Sequence, residues 1–404
     1  MVFDTGSTAF MLLATSLVML MTPGLAFFYG GLVGRKGVLA IMMQSFVSLG
    51  ITTILWVTVG YSLCFSGDIG GIIGNLNHAF LNGVNLTDAF SPTNNIPTVV
   101  FVAYQMMFAV ITPALITGAF TERVRFKAYL IFQIFWLLLV YFPFTHMVWG
   151  GGILAQLGVL DFAGGIVVHA TAGMAALASV FFVGKRAVKE SQPHSIPLIA
   201  LGTALLWFGW YGFNAGSELK VDEITSIAFL NTDIAASFAS MVWLAIEWKH
   251  TGKPKFVGFL TGAVAGLATI TPAAGFVGPK EAALIGIIAG IVCFYAVELK
   301  NKLNWDDALD VWGVHGVGGI TGVILLGVFG TTAINPAGAN GLIHGGTSFF
   351  LVELGAVVFA SVYAFVISYG MLYVIDKITP VRVNSEEQNI GLDETLHGEN
   401  AYLI

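Results

Sequence analysis

Apolar runs separated by short polar or glycine-rich loops account for most of this 404-residue chain. A helix needs about 18 or more apolar residues to cross a hydrocarbon layer. Runs of that kind fall at 8–33, 38–65, 98–121, 126–148, 162–184, 196–215, 226–248, 256–275, 281–299, 310–331 and 346–376. The pattern predicts an all-α polytopic membrane protein with eleven transmembrane helices. The first run has no basic residue before it and Arg35 and Lys36 behind it, the reverse of a signal peptide, so it is read as a true span. Residues 1–378 then make a transmembrane domain, and 379–404 a polar, acidic tail too short to bury a core of its own.

Charge adds an orientation. The chain is 56% hydrophobic and only 10% charged, far from the balance of a soluble domain. Alternate loops carry 15 of the 17 Lys and Arg residues: Arg35 and Lys36; Arg123, Arg125 and Lys127; Lys185, Arg186 and Lys189; Lys249, Lys253 and Lys255; Lys300 and Lys302; Lys377 and Arg382. The other loops hold only Lys220 and Lys280. The positive-inside rule puts the N-terminus outside and the C-terminus in the cytoplasm of a multi-pass cell-membrane protein. A miscount of one span would scramble this sorting. Cys64 and Cys293 lie in apolar segments and are read as buried thiols.

Two histidines stand out because they lie inside spans, where a polar ring is costly. His169 sits in the fifth span and His315 in the tenth, which suggests a buried route for something polar or protonated. Ten spans divide into two halves of five, about 8–184 and 196–331, and an odd number makes the second half inverted relative to the first. Val168-His169-Ala-Thr-Ala-Gly173 echoes Val314-His315-Gly-Val-Gly-Gly319, and an aspartate, Asp161 or Asp310, precedes each. At about 1.5 Å per residue, His169 lies roughly 12 Å in from one face and His315 roughly 8 Å in from the other. The two rings are expected to meet near the middle of a hydrocarbon core about 30 Å thick.

Other polar residues admit plainer readings. Asp161 and Asp310 are each placed to cap a helix start, which is favoured over cation binding. Glu122, Glu247 and Glu298 stand near Lys or Arg at span ends and read as interfacial ion pairs, while Asp233 and Glu353 face a vestibule or a subunit contact. The remaining histidines, among them His146, fall in loops, span ends or the tail and are given no transport role. Trp149, at the end of the fourth span, is either a belt tryptophan or an aromatic face for a small cation.

Six ordered motifs then resemble the ammonium transporter family, relatives of the Rhesus proteins. They are Pro23-Gly-Leu-Ala-Phe-Phe-Tyr-Gly-Gly31, Tyr104-Gln-Met-Met-Phe-Ala109, His146-Met-Val-Trp-Gly-Gly-Gly152, Asp161-Phe-Ala-Gly-Gly165 with Val168-His169 and Gly184-Lys-Arg186, Gly209-Trp-Tyr-Gly-Phe-Asn-Ala-Gly-Ser217, and Asp310-Val-Trp-Gly-Val-His-Gly316. The resemblance spans nearly the whole chain. It implies a homotrimer with a pore through each subunit, carrying ammonium, ammonia and methylammonium. By position it makes Trp149, Phe108 and Ser217 an outer cation site, Phe108 and Phe213 a stacked ring gate, and His169 with His315 the pore lining, with Trp210 beside them. Asp161 matches the family's structural aspartate near the recruitment site.

The tail resembles the family too, through Arg382-Val383, Glu386-Glu387, Gly391-Leu392-Asp393, His397-Gly398-Glu399 and Ala401-Tyr402. The resemblance implies a segment that packs under the pores and supports regulation by a PII-type signal protein. Two departures are Gln388-Asn389-Ile390, which interrupt a usual run of acids, and Glu218, where the family more often has a small residue. An ammonium receptor of the same fold is the alternative. A membrane metalloenzyme ranks last, because two histidines without a third nearby ligand make a poor metal site. No cofactor, metal or nucleic acid is expected, and the lipid bilayer is the surrounding partner.

Overall fold

The computed structural model describes residues 3–91, 94–188 and 192–402. Lys189, counted above among the loop cations, lies outside the described residues. Eleven apolar helices follow one another among the described residues: α1 (Thr5–Leu32), α2 (Val38–Phe65), α3 (Thr98–Phe120), α4 (Phe126–Gln156, broken near Gly150), α5 (Gly165–Val183), α6 (Ile196–Glu218), α7 (Glu223–Thr251), α8 (Phe256–Ile270), α9 (Pro279–Lys302), α10 (Trp312–Phe329) and α11 (Thr347–Ile378). Ten are long enough to span by themselves, and α8 is the short one.

α8 was expected to run to 275 but loses regular geometry after Ile270. Pro272 lacks an amide hydrogen and cannot continue the ladder. The backbone groups this frees are met by protein: Phe162 N donates to Pro272 O at 3.1 Å, and Asn231 Nδ2 donates to the carbonyls of Ala274 and Val277 at 2.9 and 2.8 Å. Irregular backbone at membrane depth survives only when satisfied in this way.

α1 packs along α6, and α11 lies against α5 and α10. α1 and α6 meet at glycines. A methyl on Gly24 of α1 would press on Leu205 of α6 at 2.9 Å, and one on Gly212 of α6 would meet Leu17 of α1 at 2.7 Å. Small residues at the contact let the backbones approach, which is how helices associate where water supplies no driving force. The histidine helices cross in the same manner, since a side chain on Gly173 of α5 would run into the Gly316 backbone of α10. Both histidines stand in widened, π-helical turns, Gly165–Ala170 and Trp312–Gly316, a local unwinding often found at functional positions.

One face of the bundle, the basic face, carries the basic loops, and the opposite one is the far face. The tail lies against the basic face. Asp393 caps the start of α2, accepting from Leu39 N and Ala40 N at 3.0 and 2.8 Å, and Leu392 is buried with Ala40 and Val383. Gly391, at φ 115, lets the chain pass close to Lys36. His397 packs edge-on against Phe126, Gly398 turns the chain at φ 65, and Glu399 N donates to Asp393 O.

Candidate functional site

A cavity of about 450 Å³ opens on the far face and one of about 270 Å³ on the basic face. Aromatic side chains join them. Phe108 of α3 and Trp149 of α4 line the far cavity together with Ser217 of α6. Trp149 meets Phe108 edge to face at a 6.0 Å centroid distance, and its Nε1 donates to Asp161 O at 2.8 Å. The indole is thereby fixed against the cavity wall. Ser217 donates to Phe213 O at 2.9 Å, which commits its hydroxyl proton, and its oxygen lies 3.3 Å from the Tyr104 hydroxyl.

Phe108 stacks on Phe213 at 4.2 Å with planes 28° apart. Phe213 in turn lies 6.1 Å from the His169 ring. Trp210 stacks on His169 at 5.4 Å, lies 5.5 Å from Phe213, and donates its Nε1–H to Thr271 Oγ1 at 2.9 Å. His169 and His315 then meet, Nδ1 to Nδ1, at 3.2 Å with nearly parallel rings. The Nε2 of His169 is buried without a partner among the described residues. His315 opens into the basic-face cavity.

Such a short Nδ1 contact has one chemical solution for neutral rings: one nitrogen carries hydrogen and the other does not. In that neutral arrangement the two imidazoles are opposite tautomers, one presenting a bare Nε2 and the other an Nε2–H, so the pair offers both an acceptor and a donor.

The helix starts that aim the rings differ from expectation. Asp161 caps α5 as anticipated: Oδ1 accepts from Gly164 N and Gly165 N and Oδ2 from Ile166 N and Val167 N, at 2.6 to 3.1 Å. Burial pushes its carboxyl up, and these amides oppose the rise. Asp310 is not the corresponding cap. Asp307 accepts from Val311 N and Trp312 N at 3.1 and 2.8 Å, while Asp310, at φ 62, turns away to pair with Lys300 Nζ at 2.6 Å. Burial pushes the Asp307 carboxyl up to about 6.

The basic-face cavity is charged where the far one is aromatic. Arg123, fully buried, pairs with Asp306 at 3.5 Å and donates to the carbonyls of Ala119, Gly184 and Asp306. Arg186 joins Asp306 and Glu122, each at 2.8 Å. Burial alone would raise the Asp306 carboxyl, but the Arg186 hydrogen bonds and the Arg123 charge hold it well below its ordinary range. Glu122 is thus an ion-pair member, whereas neither Glu247 nor Glu298 has an ion-pair partner among the described residues.

Three further residues find hydrogen-bond partners within the chain. Asp233 accepts from Trp207 Nε1 and Tyr211 OH. Glu353 is buried and accepts from Leu160 N at 2.6 Å. His146 is buried, its ring nitrogens on Cys64 O and Asp68. Sequence reasoning passed over Thr271, Asp307 and Tyr104, whose hydroxyl contacts the carbonyls of Gly212 and Phe213 at 2.9 Å. Tyr104 opens a motif already singled out, and that position was its only signal.

Residues 9–402 match the model of the Ammonium Transporter Family. The chain belongs to that family. It is 47% identical to an ammonium transporter of Bacillus subtilis (strain 168) over 399 residues, 98% of each chain. Among solved structures it resembles Candida albicans Mep2 with a TM-score of 0.89 and 35% identity, covering 95% of this chain and 88% of that one. It also resembles a structure described as a Sensor Amt Protein, with a TM-score of 0.87 and 29% identity over 96% of this chain and 97% of the other. Membership agrees with the motif reading, and the multi-pass membrane architecture is common ground.

Proposed function

We propose that this family member conducts ammonium nitrogen across the plasma membrane through a passage inside each subunit. The observation that carries the reading is the His169–His315 contact at 3.2 Å, set in a column of rings with a cavity at each end. A cation enters the far cavity, where the Trp149 ring face and Phe108 edge surround it and Ser217 offers lone pairs. The stacked Phe108 and Phe213 rings supply no oxygens to replace a hydration shell, so sodium and potassium ions are refused there. Ammonium differs because it can lose a proton, which the His169–His315 pair takes up and relays toward the basic face, so that charge crosses with the ammonia. Ammonia then passes the rings and exchanges hydrogen bonds with the two Nε2 positions, one bare and one protonated, before leaving through the basic-face cavity.

The basic loops support a cytoplasmic basic face, and a tail docked there supports regulation by a PII-type protein and coupling within a homotrimer. The likeness to a sensor favours a second reading, in which the same column binds ammonium and signals with little flux. Methylammonium uptake by a transport-deficient strain separates the two, because a sensor does not restore uptake. In liposomes of purified protein, ammonium addition is expected to give a current that the His169→Ala/His315→Ala double variant loses. An unchanged current removes the histidines from charge movement.

A further inference from the structure

Glu218 stands where its charge can act on the far cavity. It is the last residue of α6, directly after Ser217, and lines the far cavity with 14% of its side chain exposed. The cavity wall holds one other carboxylate, Asp161, whose oxygens already accept four backbone amides. Glu218 is therefore the cavity acid whose oxygens no backbone amide occupies among the described residues.

Its present partner is a tethered ammonium. Lys220 Nζ lies 3.3 Å from Glu218 Oε1 and 2.9 Å from Asp222 Oδ2. The shorter contact is to Asp222, which the cap of α7 fixes through Ile224 N and Thr225 N. The Lys220 side chain is 39% exposed, so its hold on Glu218 is screened and costs side-chain freedom. The cavity carries a second, independent mark. Gln105, one turn from Phe108, is only 9% exposed, lines the same cavity, and its Oε1 has no partner among the described residues. A buried acceptor lacking a donor suits a guest with N–H groups.

We infer that Glu218 recruits ammonium-class cations to the far cavity, and that Lys220 competes with them as a built-in alkylammonium. This rests on the transport reading above. A carboxylate at the cavity lip raises the local concentration of small cations before the ring stack, and a lysine bridging to Asp222 sets how much of that charge is available. The device acts on capture, not on passage through the histidines.

The test is the concentration dependence of methylammonium uptake in cells, for wild type, Glu218→Gln, Lys220→Gln and the double variant. Glu218→Gln is expected to raise the half-saturating concentration about threefold to tenfold with little change in maximal rate, the size of losing one charge a few ångströms from the guest. Lys220→Gln is expected to lower it. On the Glu218→Gln background, Lys220→Gln should add nothing, because the lysine acts through that carboxylate. Both single shifts should shrink in high salt. If wild type takes up methylammonium and the two single variants share its half-saturation, Glu218 has no recruiting role and the transport reading stands. If wild type itself takes up none, the transport reading falls and this inference falls with it.

Discussion

The two helices that bring His169 and His315 together start in opposite ways. α5 begins with one carboxylate, Asp161, saturated by four backbone amides and touching no cation among the described residues. α10 begins inside an ionic cluster, where Asp307 caps, Asp310 holds Lys300, and Asp306 ties Arg123 to Arg186. Both arrangements present a histidine in a widened turn. A single cap supplies a fixed backbone and nothing else, whereas a cluster that reaches Arg123 and the tail can be perturbed from solution. The far start is a rigid mount and the basic-face start a connected one.

The largest expected effect breaks the mount. Asp161→Ala leaves four buried amides without acceptors, at roughly 1–3 kcal/mol for each buried donor left unpaired. Folded protein should be lost, seen as disappearance of the monodisperse peak on size-exclusion chromatography in detergent. Asp310→Ala, at the position the sequence makes equivalent, should keep that peak, since Asp310 caps nothing and Lys300 retains the Asp307 carbonyl at 2.6 Å. Equal damage from the two substitutions would erase the distinction drawn here.

Next is the cluster itself. Arg123→Ala removes a fully buried guanidinium that serves α3, the end of α5 and the loop before α10. Breaking a buried pair from one side typically costs about 3–5 kcal/mol. The loss here should fall toward the low end, because Arg186 still pairs with Asp306. A thermal scan in detergent checks the fall in stability. If stability is unchanged, Arg123 does not join the two helix ends.

Much of this was readable along the chain because it follows from length and period. Span number needs only runs of apolar residues, and the meeting of His169 with His315 needs only rise per residue and an inverted second half. The cap of α10 was not readable. Asp306, Asp307 and Asp310 lie within five positions, and which of them faces the helix start depends on the left-handed backbone at Asp310 and on Lys300. Arg123 was hidden for a different reason. Counting loop cations sorts membrane sides but does not tell a solvated arginine from one with no exposed surface. The break in α8 was signalled by Pro272, yet Thr271 as the partner of Trp210 depends on tertiary packing alone.

The smallest expected effect lies where the connected side reaches water. Arg125 binds Glu387 of the tail in bidentate fashion, at 2.9 and 2.8 Å, with both side chains partly exposed. An ion pair in that setting contributes less than about 1 kcal/mol. Arg125→Gln should lower the thermal midpoint slightly at low salt, and the gap to wild type should close as salt is raised, because solvent ions already screen the pair. The Arg123→Ala deficit should persist through the same titration, since buried charges are screened far less. Parallel salt responses would mean that Arg123 and Arg125 share one environment, and the cluster under α10 would then be no more interior than the tail that covers it.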